Sequence, residues 1–124
     1  QPSESQLLQL RKSLDLDAHL IKEAIDRHGI DAFFINGDED CIYVLNIIKA
    51  LQFQVPEQLK LIGFGNLSFG ALVHPSISTV DQRGQDMGVL AAKVILNSLQ
   101  PKNQVKPITE ILSPKLVIRE SSSK

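Results

Sequence analysis

The segment from Leu59 to Val80, LKLIGFGNLSFGALVHPSISTV, constrains this chain more than any other. It opens with a short apolar run, Leu59, Leu61, Ile62 and Phe64, bounded by Pro56 on one side and Gly65 on the other. So short a run between breakers reads as a buried strand. Asn66, directly after Gly65, suits a tight turn and the N-cap of a short helix. His74-Pro75 then turns the chain into a Ser/Thr-rich extended piece, Ile77 to Val80. Strand, turn and short helix put a loop at the C-terminal end of a strand, where open α/β sheets line their ligand crevices.

The flanking segments continue the alternation. Ser3 and Gln6 have capping-box spacing ahead of Leu7, Leu10 and Leu14. Asp15 or Asp17 caps a second helix, with Leu20, Ile21, Ala24 and Ile25 on one face and Gly29 as its stop. Asp31 to Ile35 is a strand; its run of apolar residues from Ala32 onward is what a strand covered on both faces requires. Asn36-Gly37 punctuates it. Asp38 caps the next helix, and Glu39 and Asp40 fall in its first turn, where carboxylates suit the positive end of the dipole. Val44, Leu45, Ile48 and Leu51 form that helix's buried stripe. Asp81 or Gln82 opens a long helix to about Leu99, with Met87, Leu90, Ala91, Val94, Ile95 and Leu99 as its apolar face. Residues 100–107 read as a polar loop, Leu116 to Ile118 as a last strand, and the SSSK tail after Glu120 as disordered. The expected class is α/β, a mainly parallel open sheet flanked by helices.

Composition narrows the function. At 124 residues the chain is one domain or part of one. A formal net charge of −1 with scattered Lys and Arg gives no basic face for duplex DNA. The absence of Trp, with a single Tyr, argues against stacking platforms for single strands. No apolar run approaches the ~20 residues of a membrane span, and the first residues lack a signal-peptide pattern. One cysteine, Cys41, rules out an internal disulfide framework and fits a reducing cytoplasm. The chain lacks an initiator Met and reads as a piece of something longer.

No set of residues assembles an active site. Asp38, Glu39 and Asp40 read as helix-capping acids before metal ligands. His19, His28 and His74 have neither zinc spacing nor a Cys–His nucleophile pattern. Cys41 sits in a first helical turn, which can activate a thiol, but reads rather as a small buried residue. Ser68 lacks the G-x-S-x-G of a nucleophile elbow. Gly63-Phe64-Gly65 lacks the third glycine of a dinucleotide fingerprint. The expectation is no catalytic residue, no metal, no cofactor and no enzyme.

Five segments, in order, resemble the effector-binding domain of the LacI/GalR family of bacterial transcription regulators. Asp31-Ala32-Phe33-Phe34 looks like that family's DAIF strand. Val55-Pro56-Glu57 with Leu61-Ile62-Gly63-Phe64 looks like its VPEDVSVVGFD segment. Pro75 to Val80 looks like PPLTTV, Met87-Gly88 with Ala91-Ala92 like MGxxA, and Leu116 to Ser121 like LVVRES. The resemblance implies a periplasmic-binding-protein-like (type I) lobe. Residues 1–78 would be part of the C-terminal lobe, 79–121 the crossover segments with the long helix 82–99 and closing strand, leaving 122–124 as a disordered tail. It further implies a cytoplasmic regulator, a repressor, whose helix-turn-helix headpiece and most of whose first lobe lie outside this chain. Operator DNA would be met only through that headpiece. Helix 82–99 would need another partner, such as a second copy in a homodimer.

The implied effector site lies at Asn36, Gly37, Asp38, Gly65, Asn66 and Ser68. Two positions depart from the family: Gly37 stands where an effector-binding Asn is common, and Gly65 where the Asp of GFD binds sugar hydroxyls. A polyol site must replace the water lost from each hydroxyl. Two glycines therefore leave either a roomier site for a sugar or sugar phosphate, or weakened binding. The alternatives are a standalone or periplasmic sugar-binding protein of the same fold, and an enzyme of flavodoxin-like architecture.

Overall fold

The computed structural model describes residues 14–100 and 108–123. The helix expected from Ser3, most of the 100–107 loop and Lys124 lie outside them. In chain order the elements are α1 (Leu14–His28), β1 (Ala32–Phe34), α2 (Asp38–Ala50), β2 (Lys60–Phe64), a short 3-10 helix (Ser68–Ala71), β3 (Ser78–Asp81), α3 (Gly84–Ser98) and β4 (Lys115–Val117).

The four strands form one sheet in the order β1-β2-β3-β4. The first three run parallel, with Phe33 beside Leu61 and Gly63 beside Thr79. β4 returns antiparallel to β3, pairing Thr79 with Val117. The sheet is thus mainly parallel, as expected, and it holds both strands expected to lead across to another lobe. The parallel pairs put the loops after β1 and β2 at the same end of the sheet.

One face of the sheet carries the core. α2 packs on β2 and α1 packs on α2. Ile21 of α1, Cys41, Val44, Leu45, Ile47 and Ile48 of α2, Leu59 and Leu61 at β2, and Ile77 before β3 form one buried cluster. Each large aliphatic side chain buried there contributes about 1.5–3 kcal/mol. Gly29, at φ +62°, ends α1 as its residue type predicts, and its N–H donates to Ile25 O at 3.0 Å. Asp17 does not cap α1. It lies inside the helix, buried, and accepts the Tyr43 hydroxyl at 2.9 Å, tying α1 to α2.

The other face departs from expectation. Phe34, Ile62, Phe64, Val80 and Leu116 share it by register. Phe34 and Phe64 meet edge to face, with ring centroids 6.3 Å apart. Ala32, Phe34 and Leu116 are nevertheless exposed, so β1 is not covered on both sides by the described residues. α3 is similar: none of its residues is buried, and Met87, Ile95 and Leu96, with Leu99 at its C-cap, are exposed. Its start also shifts. Asp81 ends β3, and α3 begins at Gly84 behind Arg83 in the left-handed conformation.

Residues 121–123 are not a loose tail. Ser121 is fully buried, and its hydroxyl donates to Leu61 O at 2.7 Å and accepts the Ser78 N–H at 2.8 Å. Its backbone takes the Leu61 N–H at 2.8 Å and donates to Ser76 O at 2.9 Å. Ser122 Oγ lies 2.7 Å from Ser78 Oγ. These bonds complete strand ends of β2 and β3 that would otherwise hold unpaired polar groups.

Candidate functional site

The loops that follow β1 and β2 meet over the first turn of α2. Gly37 is the N-cap of that helix, at φ 136° and ψ 137°, a conformation reserved in practice for glycine. Its N–H donates to Ile35 O at 2.8 Å and its carbonyl accepts the Cys41 N–H at 3.0 Å. Gly65 is likewise at φ +127°, its N–H donating to Val80 O at 2.9 Å. A side chain would find open space at Gly37 and only Leu67 near it at Gly65. In this structure a side chain at either position would be strained by the positive φ rather than by lack of room.

Asp38 does not cap its own helix. It is 1% exposed, and its carboxylate points away into the sheet. Oδ1 accepts the Thr79 hydroxyl at 2.7 Å and Oδ2 accepts the Leu67 N–H at 2.6 Å. Such burial rules out direct contact with a ligand in this conformation. The carboxylate instead holds the loop after β2 against β3.

Asn66 is not a helix cap either; the 3-10 helix has Leu67 at that position. Asn66 stands at φ +54°, where Asn is tolerated better than most residues. Its N–H donates to Thr79 Oγ1 at 3.2 Å, and its side chain joins Arg119 and Asp81: Arg119 Nη2 donates to Asn66 Oδ1 at 2.8 Å, and Asn66 Nδ2 donates to Asp81 Oδ2 at 3.2 Å. Asn36 and Ser68 are exposed on the two loops.

The structure therefore links Asp38 and Asn66 through the Thr79 hydroxyl, with Gly37 and Gly65 as their chain neighbours, and leaves Asn36 and Ser68 exposed on the loops. Sequence reasoning missed three of the linked residues: Thr79, Asp81 and Arg119. Thr79 and Arg119 belong to the STV and IRES segments singled out above, yet neither pattern states a partner.

Cys41, in the first turn of α2, is not an activated thiol. Burial, with the Asp38 carboxylate adding to it, pushes the Cys41 thiol up to about 12. Among the described residues no three His, Cys, Asp or Glu side chains come together as metal ligands. At the opposite end of the sheet an open depression of about 350 Å³ is lined by Val55, Pro56, Glu57, His74, Pro75, Glu120 and Ser123.

Residues 3–122 match the periplasmic binding protein-like domain family. The chain belongs to this family. Over 83 residues it is 29% identical to the sucrose operon repressor of Pediococcus pentosaceus, covering 67% of this chain and 26% of that protein. Over 120 residues it is 28% identical to the HTH-type transcriptional regulator DegA of Bacillus subtilis, covering 97% of this chain and 35% of that protein. Its fold matches a LacI family transcriptional regulator from Enterococcus faecium with bound ribose, at TM-score 0.73 and 21% identity, over 94% of this chain and 43% of the other. The chain thus spans about a quarter to a third of those two curated relatives. The α/β lobe is the one its motifs led us to expect. Gly37 and Gly65 lie in the loops at the C-terminal ends of β1 and β2.

Proposed function

We propose that this chain is the effector-sensing part of a LacI-type transcriptional regulator, a cytoplasmic repressor that meets operator DNA through a headpiece elsewhere in the protein. The observation that carries the reading is the family match over residues 3–122, joined to two loops bonded together where parallel strands end. Effector binding would bias the angle between two lobes, and that bias would change how paired headpieces present to DNA. The bare apolar surface of α3 supports a homodimer as the working form.

The effector would contact Asn36, the backbone of Gly37 and Gly65, and Ser68. Asp38 and Asn66, engaged with the protein, would shape the loops. A neutral sugar fits better than a sugar phosphate, because Glu39 stands exposed in the first turn of α2 and Asp40 lies beside it. Sucrose and ribose are the first compounds to try, since one relative is a sucrose operon repressor and the structure of another regulator holds ribose.

Melting of the chain, followed by circular dichroism with ribose, sucrose or ribose 5-phosphate, tests the reading. A ligand that binds only the folded state must raise the midpoint. A rise with a neutral sugar and none with the phosphate is expected. No rise with any sugar at high concentration would count against sensing, and a rise with the phosphate alone would reverse the charge argument.

A further inference from the structure

We infer that Asn66 is the positioning residue that couples the loop after β2 to both ends of the excursion by which the chain leaves and re-enters the sheet. This deepens the sensing reading and rests on it. The excursion leaves after Asp81 through Arg83 into α3 and returns through β4 to Arg119. One amide side chain touches both ends: Oδ1 receives Arg119 Nη2 at 2.8 Å and Nδ2 gives to Asp81 Oδ2 at 3.2 Å.

The chemistry fixes which end of the amide points where. Turned over, the NH₂ would face a guanidinium and the oxygen a carboxylate, two donors together and two acceptors together. Asp81 then divides its oxygens. Oδ2 takes the loop, while Oδ1 accepts the Arg83 N–H at 2.7 Å. Arg83, held left-handed at φ 56° and ψ 44°, is the N-cap of α3, and its carbonyl accepts the first helical bond from the Met87 N–H at 3.0 Å. On the return side, Arg119 Nη1 also donates to Ile77 O at 2.7 Å, which anchors the guanidinium to the sheet while its other arm reads the loop.

A displacement of the Gly65–Ser68 loop therefore acts on a carboxylate that also holds Arg83, the N-cap residue of α3. A contiguous chain of contacts can carry such coupling, and this one has three links from loop to helix. Evidence of coupling beyond proximity comes from a swap of the two side chains. Asn66→Asp keeps an acceptor for Arg119 but sets two carboxylates against each other. Asp81→Asn added to it restores a donor toward residue 66 and keeps an acceptor for the Arg83 N–H.

The test is amide hydrogen exchange of the 124-residue chain without any sugar, read at Arg83 and Met87 and compared with the core amides of Leu45 and Ile48. Asn66→Asp is expected to speed exchange at Arg83 and Met87 by roughly five- to tenfold more than in the core, the change for losing about one hydrogen bond. The double variant is expected to return to within about twofold of the parent. Asn66→Ala, which removes both bonds without adding charge, should show the same pattern should Asn66→Asp prove unstable. Exchange at Arg83 that merely follows the core, or a double variant no better than the single, would overturn the inference. Because no ligand is present, failure of the sugars to raise the melting point bears on the sensing reading alone.

Discussion

Gly63 and Asp38 share one space: a Cβ built on Gly63 would overlap Asp38 Oδ1, so the absent side chain on β2 is the room into which the buried carboxylate of α2 fits. From there Asp38 holds Thr79 and the Leu67 N–H, and the shape of the candidate site follows from that placement.

Gly63→Ala should therefore destabilise the fold although alanine is the smallest change available. Displacing a hydrogen-bonded carboxylate in a packed interior costs on the order of 1–3 kcal/mol. Urea unfolding followed by circular dichroism measures it; a midpoint equal to the parent's would mean that the carboxylate has room to move.

Cys41 should be silent in the folded protein. With its pKa at about 12, it holds almost no thiolate at pH 8, the form that reacts. Labelling with a maleimide should be negligible without denaturant and reach one thiol per chain in it. Rapid labelling under native conditions would show that α2 opens far more readily than its packing implies.

Glu120 predicts a pH dependence. The Ser76 backbone N–H and hydroxyl, with a smaller contribution from His74, hold its carboxyl below the ordinary 4.5. A group with a lowered folded pKa stabilises fully above its unfolded value and loses that effect as pH falls through the folded value. Glu120→Gln should thus lower the melting point at pH 7 and make no difference well below pH 4.5. A gap that persisted in acid would assign the effect to packing.

Ser121→Ala should cost about 1–3 kcal/mol, because it leaves the buried Ser78 N–H without its acceptor and removes one donor from Leu61 O. Ser123→Ala, whose hydroxyl bonds Arg119 O at an exposed site, should stay within ~0.5 kcal/mol. Similar costs for both, in thermal or urea melts, would contradict the picture of Ser121 as a plug.

Much of the fold was legible because its signals are local. Leu61 and Ile62 between Pro56 and Gly65 announced β2, and Val44, Leu45 and Ile48 announced the buried side of α2 at helical spacing. The candidate site was half legible. The loops at Asn36 to Asp38 and Gly65 to Ser68 stood out as the site proposed for an effector, but Asp38 and Asn66 were read as caps of their own helices. Both side chains reach partners far along the chain: Asp38 finds Thr79, and Asn66 finds Arg119. Local propensity describes what a residue does for its neighbours and says nothing of competing partners brought in by the sheet.

The serine tail was misread for the same reason. Four polar residues at a terminus look soluble and loose, yet Ser121 meets unpaired backbone groups of β2 and β3 that only the assembled sheet creates. The sequence by itself determined the strand–helix alternation, the glycine-only turns and the family, because periodicity, backbone stereochemistry and short motifs are properties of neighbouring residues. Only the tertiary structure decided that Asp38 is a latch, Asn66 a bridge and Ser121 a plug. Those roles depend on which hydrogen-bonding groups remain unsatisfied once the strands are in register, and no segment read alone contains both halves of such a pair.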